Sequence, residues 1–405
     1  MPRKKKEVKT DNTKVDLDDF ANDLIKSLNK EQGSRVAYNL SYDDSPTHVN
    51  RWISTGSRLL DYICSNRRNG GLPEGRIIEL FGPPSIGKSH IATQIAASTQ
   101  RMGGIVVYID TENATSPENL SNLGVDVSKR FVYVDEHCTE NVFSIAESTI
   151  LKAKSMNKDV PITIIWDSVA ATSPKAELDG DYDQNSIALN ARTISKGMRK
   201  ITGIIGQTNT LMVCLNQIRT NVAVMYGDNT TTPGGKAIPF HASTRIKLGA
   251  GQQIKEGDDV IGINVSAKTI KNKVAAPFRT VKFQIHFGKG IVEHEEMFDI
   301  LRKHGEETIS GKVISVSGSG AWKTLNVIDE KTGEVNIEKK FYKADFDKII
   351  SDPKYTKYID DLLERAMVKV MGNTENIDID SESYEEMKSL ALEIEDTTEG
   401  YDELI

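Results

Sequence analysis

Short apolar runs and amphipathic stretches alternate along most of this chain. "GRIIELFG" (75–82), "GGIVVYID" (103–110), "VPITIIWD" (160–167) and "TLMVCLNQI" (210–218) are continuous and rich in β-branched residues. Runs of this kind, each followed by a helical pattern, predict buried strands of a mostly parallel sheet. The intervening segments "SHIATQIAASTQRM", "ENVFSIAESTILKAKSM" and "SIALNARTISKGMRKITGII" carry apolar residues at helical spacing. The fold class is therefore α/β. Further on, "STRIKLGAG", "GINVSAKTIKN" and "FRTVKFQIHF" alternate more strictly and read as antiparallel strands extending that sheet. Ahead of the core, "VDLDDFANDLIKSLNKEQG" places Leu17, Phe20, Leu24 and Leu28 near helical spacing, with acids early and lysines late. It predicts a short amphipathic helix that packs on its own core or on a neighbour. After about His304 the composition shifts, and "YTKYIDDLLERAMVKVM" predicts an amphipathic helix in a small C-terminal module.

These patterns divide the chain into an arm and helix (1–35), a core (36–304), a C-terminal module (305–372) and an acidic tail (373–405). The net charge of −7 conceals a division. The tail holds 12 carboxylates and one lysine, a net of −11, so the rest of the chain carries +4. A mildly basic body suits a polyanion, and the tail is a segment able to compete for the same surface. No apolar run reaches the length that spans a bilayer. The N-terminus is charged and has no apolar h-region of a secretory signal. Cys64, Cys138 and Cys214 are far apart and form no CxxC pair. They read as reduced thiols of a cytoplasmic protein, in a bacterial cell or a phage-infected host.

The candidate chemistry begins at Gly82, Pro83, Pro84, Ser85, Ile86, Gly87, Lys88 and Ser89. This is G-x-x-x-x-G-K-S after a strand and before a helix, the context that identifies a phosphate-cradling loop. Backbone N–H groups and the helix N-terminus face the phosphates; Lys88 reaches the β- and γ-phosphates, and Ser89 holds Mg²⁺. ATP and Mg²⁺ are the expected ligands. The strand "ITIIWD" ends at Asp167, placed to orient the metal ion. "YIDTE" offers Asp110 and Glu112, two residues apart on one strand face. Either suits a base that positions the attacking water, and the pattern alone does not choose between them.

Two loops suggest a polymeric ligand. Residues 177–187 are polar and rich in Asp and Gly. The helix after them carries a buried stripe (Ile187, Ala191, Ile194, Met198, Ile201) and a second stripe of Arg192, Ser195, Lys196 and Arg199. Residues 218–234 form a long stretch without a periodic pattern, with Val222, Val224 and Met225 between Arg219 and Lys236. Loops of this length inside a compact domain are usually functional. Apolar residues flanked by cations suit wedging between bases while the flanks hold phosphates.

"ISTGS", "GGLPEGRIIELFGP", "DSVAATSPKAELDGD", "NARTISKGMRK", "LNQIRTNVAVMYGDNTTTPGGKAIPFHAS" and "KNKVAAPFRTVKFQIHFGKGI" together resemble the RecA family of recombinases, over residues 17 to 305. The resemblance implies a RecA-like P-loop ATPase core with a mostly parallel central sheet, an N-terminal oligomerisation helix and a small α+β C-terminal domain. It implies a DNA-dependent ATPase that forms a helical homo-oligomeric filament on single-stranded DNA, pairs it with homologous duplex DNA and exchanges strands. Single-strand-binding and loader proteins are the further partners it brings, and no membrane. By the same resemblance Glu112 is the catalytic glutamate and Gln217 the γ-phosphate sensor. Arg192, Ser195, Arg199, Arg219, Val222, Gly234, Gly235 and Lys236 fall at or beside DNA-contacting positions. Lys271 and Lys273, read as sharing one strand face, are similar to lysines that reach a neighbour's γ-phosphate, and Phe240 to an interface residue. Asn119 stands where the family carries an aromatic over the adenine, and Lys236 where it carries Asn. The divergent stretch "WKTLNVIDEKTGEVNIEKKFYKADF" resembles phage-encoded relatives of the UvsX type. A RecA-fold helicase or recombination mediator is the alternative reading. A P-loop kinase of a small molecule would need no DNA for turnover.

Overall fold

A computed structural model describes residues 17–41, 45–180, 188–220, 230–318 and 320–372. The chain divides into two compact units, 1–48 and 49–405. In the first, α1 (Leu17–Gln32) has Asp18 and Asp19 in its first turn and Lys30 in its last, which suits the helix dipole. Leu17, Phe20, Leu24 and Leu28 are all exposed.

The second unit is built on a nine-stranded sheet. In chain order its elements begin with α2 (Arg58–Ser65), β1 (Ile77–Gly82), α3 (Lys88–Arg101), β2 (Ile105–Asp110), α4 (Pro117–Asn122) and β3 (Phe131–Asp135). They continue with α5 (Thr139–Met156), β4 (Ile162–Asp167), α6 (Leu189–Thr208), β5 (Thr210–Gln217), β6 (Thr244–Glu256), β7 (Asp259–Asn272), β8 (Thr280–His286) and β9 (Gly290–Val292). The strand order is β9-β8-β7-β6-β1-β5-β4-β2-β3. The six strands from β6 to β3 run parallel, and β7, β8 and β9 are antiparallel. All of β1 is buried, as its apolar run requires for a strand covered on both faces.

Two expectations need correction here, and a third element was not anticipated. β6, the "STRIKLGAG" segment, joins β1 in parallel instead of opening an antiparallel meander. A parallel neighbour needs a crossover connection. The stretch between β5 and β6, with its short helix Ala237–His241, supplies it. The second correction concerns the two lysines. β7 ends at Asn272, so Lys271 belongs to the strand and Lys273 lies beyond it. The Asn272 carboxamide accepts from the N–H of Val274 and Ala275 and turns the chain there. The third is β3, which the sequence pattern did not predict. It is a sheet-edge strand of five half-buried or exposed residues and has no fully buried run to betray it.

After the sheet come α7 (His294–His304), β10 (Glu306–Ile309), β11 (Lys312–Ser317), β12 (Trp322–Asp329), β13 (Val335–Tyr342), α8 (Phe346–Ser351) and α9 (Pro353–Gly372). β10 to β13 form a four-stranded antiparallel sheet. Its buried face and Leu362, Ala366 and Met367 of α9 continue the apolar core around Leu80, Ile91 and Val213. No helix of the described residues is long and apolar enough to cross a membrane.

α2 is anchored by two carboxylates, the buried Asp61 and the half-buried Glu293. Glu293 accepts from Ser57 Oγ at 2.5 Å and from the N–H of Arg58 at 2.7 Å. Asp61 accepts from Ser54 Oγ at 2.5 Å and from the Thr55 N–H and hydroxyl at 2.7 Å. Burial pushes the Asp61 carboxyl up to about 7, against those hydrogen bonds and with the help of Glu293. A raised folded-state value means that protonation of Asp61 stabilises the fold at low pH. That stability is complete below the ordinary value of 3.8 and is lost as pH rises through about 7. An asparagine there keeps an acceptor for Thr55 and gives its NH₂ to Ser54. Asp61→Asn is therefore expected to flatten the fall in melting temperature between about pH 4 and 7. Calorimetry across that range checks this, and parallel curves for the two chains would contradict it.

Candidate nucleotide site and nucleic-acid interface

The ends of four parallel strands meet at the carboxyl edge of the sheet. Gly82 of β1 lies opposite Gln217 of β5, and Asp110 of β2 opposite Asp167 of β4. Ligands of open α/β sheets bind at this edge. The loop from Gly82 to Gly87 turns there into α3, whose N-cap is Gly87. Gly87 has φ +99°, and a Cβ on it would lie 2.3 Å from Ile285 Cδ1. A Cβ on Gly82 would lie 2.7 Å from the Leu248 carbonyl oxygen. Glycine is required at both ends of the loop. Ile86 is buried, Pro83 half-buried, and Pro84 and Ser85 are exposed. Ser85 takes a positive φ of 58°. The first N–H groups of α3 have no side-chain cap, which leaves the helix end free to receive an anion.

Lys88 Nζ folds back on the loop and donates to the carbonyls of Gly82 (3.1 Å) and Pro83 (2.7 Å). Burial lowers the pKa of its ammonium, and Asp167 and Glu112 oppose that. Asp167 accepts from the Tyr108 hydroxyl at 2.6 Å. Its carboxyl is raised by burial, while hydrogen bonds from Tyr108 and Ser89 pull it back down. Ser89 and Asp167 are thus neighbours in the pocket beside the loop. One hydroxyl and one carboxylate, with substrate phosphates completing the shell, fit Mg²⁺.

Asp110 and Glu112 have different surroundings. Asp110 is buried and accepts from the N–H of Glu112 and Thr115 at 3.0 Å and from the Tyr133 hydroxyl at 3.2 Å. Burial raises its carboxyl, and these hydrogen bonds outweigh burial and hold it low. It shapes the turn. Glu112 is exposed and accepts from Ser168 Oγ at 2.5 Å and from Gln217 Nε2 at 3.2 Å. Of the two carboxylates, only Glu112 has a basic oxygen open to a reacting water.

Two residues past Gln217 the chain enters a ribbon in which Arg219–Thr220 pairs with Thr230–Thr231. The stem of the 218–234 stretch is therefore not patternless. Val222, Val224 and Met225 lie outside the described residues. Thr232 to Gly235 return the chain to α6. Gly234 (φ +93°) and Gly235 (φ +68°) pack so closely that a Cβ on them would lie 3.0 Å from Ile194 Cδ1 and from Ala191 Cβ. On α6 the buried stripe is Ile194, Met198, Ile201 and Ile205. Arg192, Lys196 and Arg199 are exposed and Ser195 is half-buried. Ile187, most of the 177–187 loop and its tip lie outside the described residues; Glu177 and Leu178 close a short helix, Lys175–Leu178. Lys236 is exposed, and its carbonyl accepts from the Phe240 N–H.

Lys271 Nζ donates to the carbonyls of Pro239 (2.6 Å) and Phe240 (2.9 Å). Burial and the nearby Lys273 and Arg245 push its pKa down to about 8. Lys273 is exposed, as is the Phe240 ring.

Sequence reasoning missed three contributors. Glu79, wholly buried within the β1 run, accepts from Arg245 Nε at 2.6 Å and from Asn216 Nδ2 at 3.0 Å. Asn216 also donates to the Pro233 carbonyl at 2.9 Å, which ties the strand beside the phosphate loop to the far end of the 218–234 stretch. A glutamate inside an otherwise apolar strand was the available signal. Phe287 is the third. It is 57% exposed and lines the same pocket as Ser89 and Asp167.

Strand, glycine loop, helix and an acidic neighbouring strand end define a P-loop nucleotide-binding α/β domain. Comparison with known proteins sharpens this. Residues 20–292 match the RecA N-terminal domain. The Protein RecA of Ruminococcus albus is 40% identical over 300 residues, which cover 74% of this chain and 70% of that one. The Protein RecA of Chlorobaculum tepidum is 37% identical over 315 residues, 78% of this chain and 85% of its own. That of Staphylococcus aureus is 36% identical over 326 residues, 80% and 86%. The chain belongs to the RecA family, and its function is that of a recombinase in DNA recombination and repair.

Proposed function

We propose that this chain is a single-stranded-DNA-dependent ATPase that works as a helical filament and exchanges strands between that DNA and a homologous duplex. The observation that carries the proposal is the hydrogen bond from Gln217 to Glu112, with Gln217 standing at the root of the Arg219 ribbon. One amide thus touches both the hydrolytic carboxylate and the segment assigned to DNA.

ATP is the substrate. Lys88 leaves the Gly82 and Pro83 carbonyls for the β- and γ-phosphates, and the N–H groups of residues 85 to 89 cradle them. Ser89 and Asp167 hold Mg²⁺, which supplies neutralisation of phosphate charge. Glu112 accepts the proton of the attacking water, and Ser168 and Gln217 fix its orientation. Gln217 meets the γ-phosphate, so its position reports nucleotide state to the ribbon. Arg192, Ser195, Arg199, Arg219 and Lys236 hold backbone phosphates. Val222 wedges between bases, and Gly234 and Gly235 let the chain approach the DNA closely. Lys271 and Lys273 reach the γ-phosphate of a neighbouring subunit, and Phe240 relays that contact across the interface.

The test is strand exchange. Circular single strands and a homologous linear duplex, with ATP and Mg²⁺, are expected to give joint molecules that need both nucleotide and homology. Joint molecules formed equally without homology, or none where the chain coats the single strand, would refute the proposal.

A further inference from the structure

The nucleotide pocket has a second end. About 300 Å³ in volume, it runs from Ser89, Glu112 and Asp167 to Asn119, Leu120, Leu123 and Phe287. The phosphates belong at the α3 N-terminus, so the nucleoside lies toward α4 and the β8–β9 turn. There Phe287 offers an exposed ring face, held by its N–H to the Ile261 carbonyl at 2.9 Å. A base stacks on such a face without regard to its identity. Leu120 and Leu123 give apolar contact and also read nothing.

Asn119 differs from these neighbours. Its backbone is fixed: its N–H donates to the N-capping Ser116 hydroxyl, and its carbonyl accepts from the Leu123 N–H. Its carboxamide is exposed at the pocket and makes no side-chain hydrogen bond to another described residue. A carboxamide presents an acceptor and a donor side by side. That pair matches the exocyclic amine and adjacent ring nitrogen of adenine.

We infer that Asn119 is the specificity-determining residue for the purine, reading the edge of the base that stacks on Phe287. The inference rests on reading this pocket as a nucleotide site. It predicts what a carboxylate does in the same place. Asn119→Asp loses the donor and sets an anion against the adenine ring nitrogen. The same anion suits the adjacent N–H donors of guanine.

The experiment is competition of ATP and GTP for the full chain without DNA, for the parent, Asn119→Asp and Asn119→Ala. The aspartate variant is expected to move the ATP:GTP affinity ratio toward GTP by at least about tenfold, the range of one good two-point base contact. The alanine variant is expected to move the ratio toward parity. Ratios that stay within about twofold of the parent in both variants would overturn the inference. Asn119 is exposed and anchored through its backbone; a thermal melt checks folding, and the alanine variant gives the answer if the aspartate variant melts early. A parent chain that binds neither nucleotide would instead sink the nucleotide-site reading, a separate failure.

Discussion

Glu112→Gln is expected to lower ATP turnover by about a hundredfold or more and to leave ATP binding nearly unchanged. The size follows from the proposed role of Glu112 as general base, which typically contributes about 10² to 10⁴ in rate. Glutamine keeps the geometry. Its carbonyl oxygen can still accept from Ser168 Oγ and Gln217 Nε2, as Glu112 does at 2.5 and 3.2 Å. What it loses is the capacity to take a proton. Asp110→Asn gives the contrasting result. That carboxylate is buried under hydrogen bonds from Glu112, Thr115 and Tyr133, so its loss lowers stability and weakens turnover only through the shape of the turn. Single-turnover hydrolysis, with binding measured separately, divides the two effects. A Glu112→Gln chain that hydrolyses ATP at the parent rate would mean that another group activates the water.

The second large effect is expected at Lys271. In Lys271→Ala, turnover on single-stranded DNA falls by about 10³-fold or more, the scale of a charged finger supplied in trans. Individual chains still bind ATP, because Lys271 is absent from the phosphate loop and from the pocket beside it. Its ammonium rests on the carbonyls of Pro239 and Phe240, one residue from His241 and beside the exposed Phe240 ring. Burial and neighbouring cations leave it poised near pKa 8, so the charge is shed as pH rises through that value unless an anion holds it. A γ-phosphate from the next subunit is such an anion. Loss of two hydrogen bonds to carbonyls also costs stability, so the melting temperature is measured alongside. Equal loss of turnover and of nucleotide binding would show that Lys271 merely supports its own fold.

Much of this was legible in the residues themselves. The phosphate loop announced itself because its chemistry is local: two glycines, a lysine and a serine at fixed spacing between a strand and a helix. The buried parallel strands were legible because burial on both faces leaves a continuous apolar run. β3 was not, since an edge strand needs no such run. The choice between Asp110 and Glu112 came from family resemblance, because spacing put both on one strand face; the strand in fact ends at Asp110, and Glu112 lies beyond it. Their separation in space depends on Thr115, Tyr133 and Ser168, which arrive from three different segments. Phe287 and the Glu79–Asn216–Pro233 connection were hidden for the same reason. Contacts between different segments, such as Glu79 with Asn216 and Asn216 with Pro233, leave no period in the sequence. The two lysines show how a small local signal matters: Asn272 between them ends the strand and places Lys273 outside the face that was read for both.

The central claim is that DNA governs hydrolysis through Gln217 and the ribbon it starts. The direct measurement is the rate of ATP hydrolysis by the unaltered chain with and without single-stranded DNA. Stimulation of at least about tenfold is expected, carried by ordering of Glu112 and Gln217 around the attacking water. A rate that is the same with and without DNA would contradict it, and would leave a P-loop enzyme whose phosphoryl acceptor lies elsewhere.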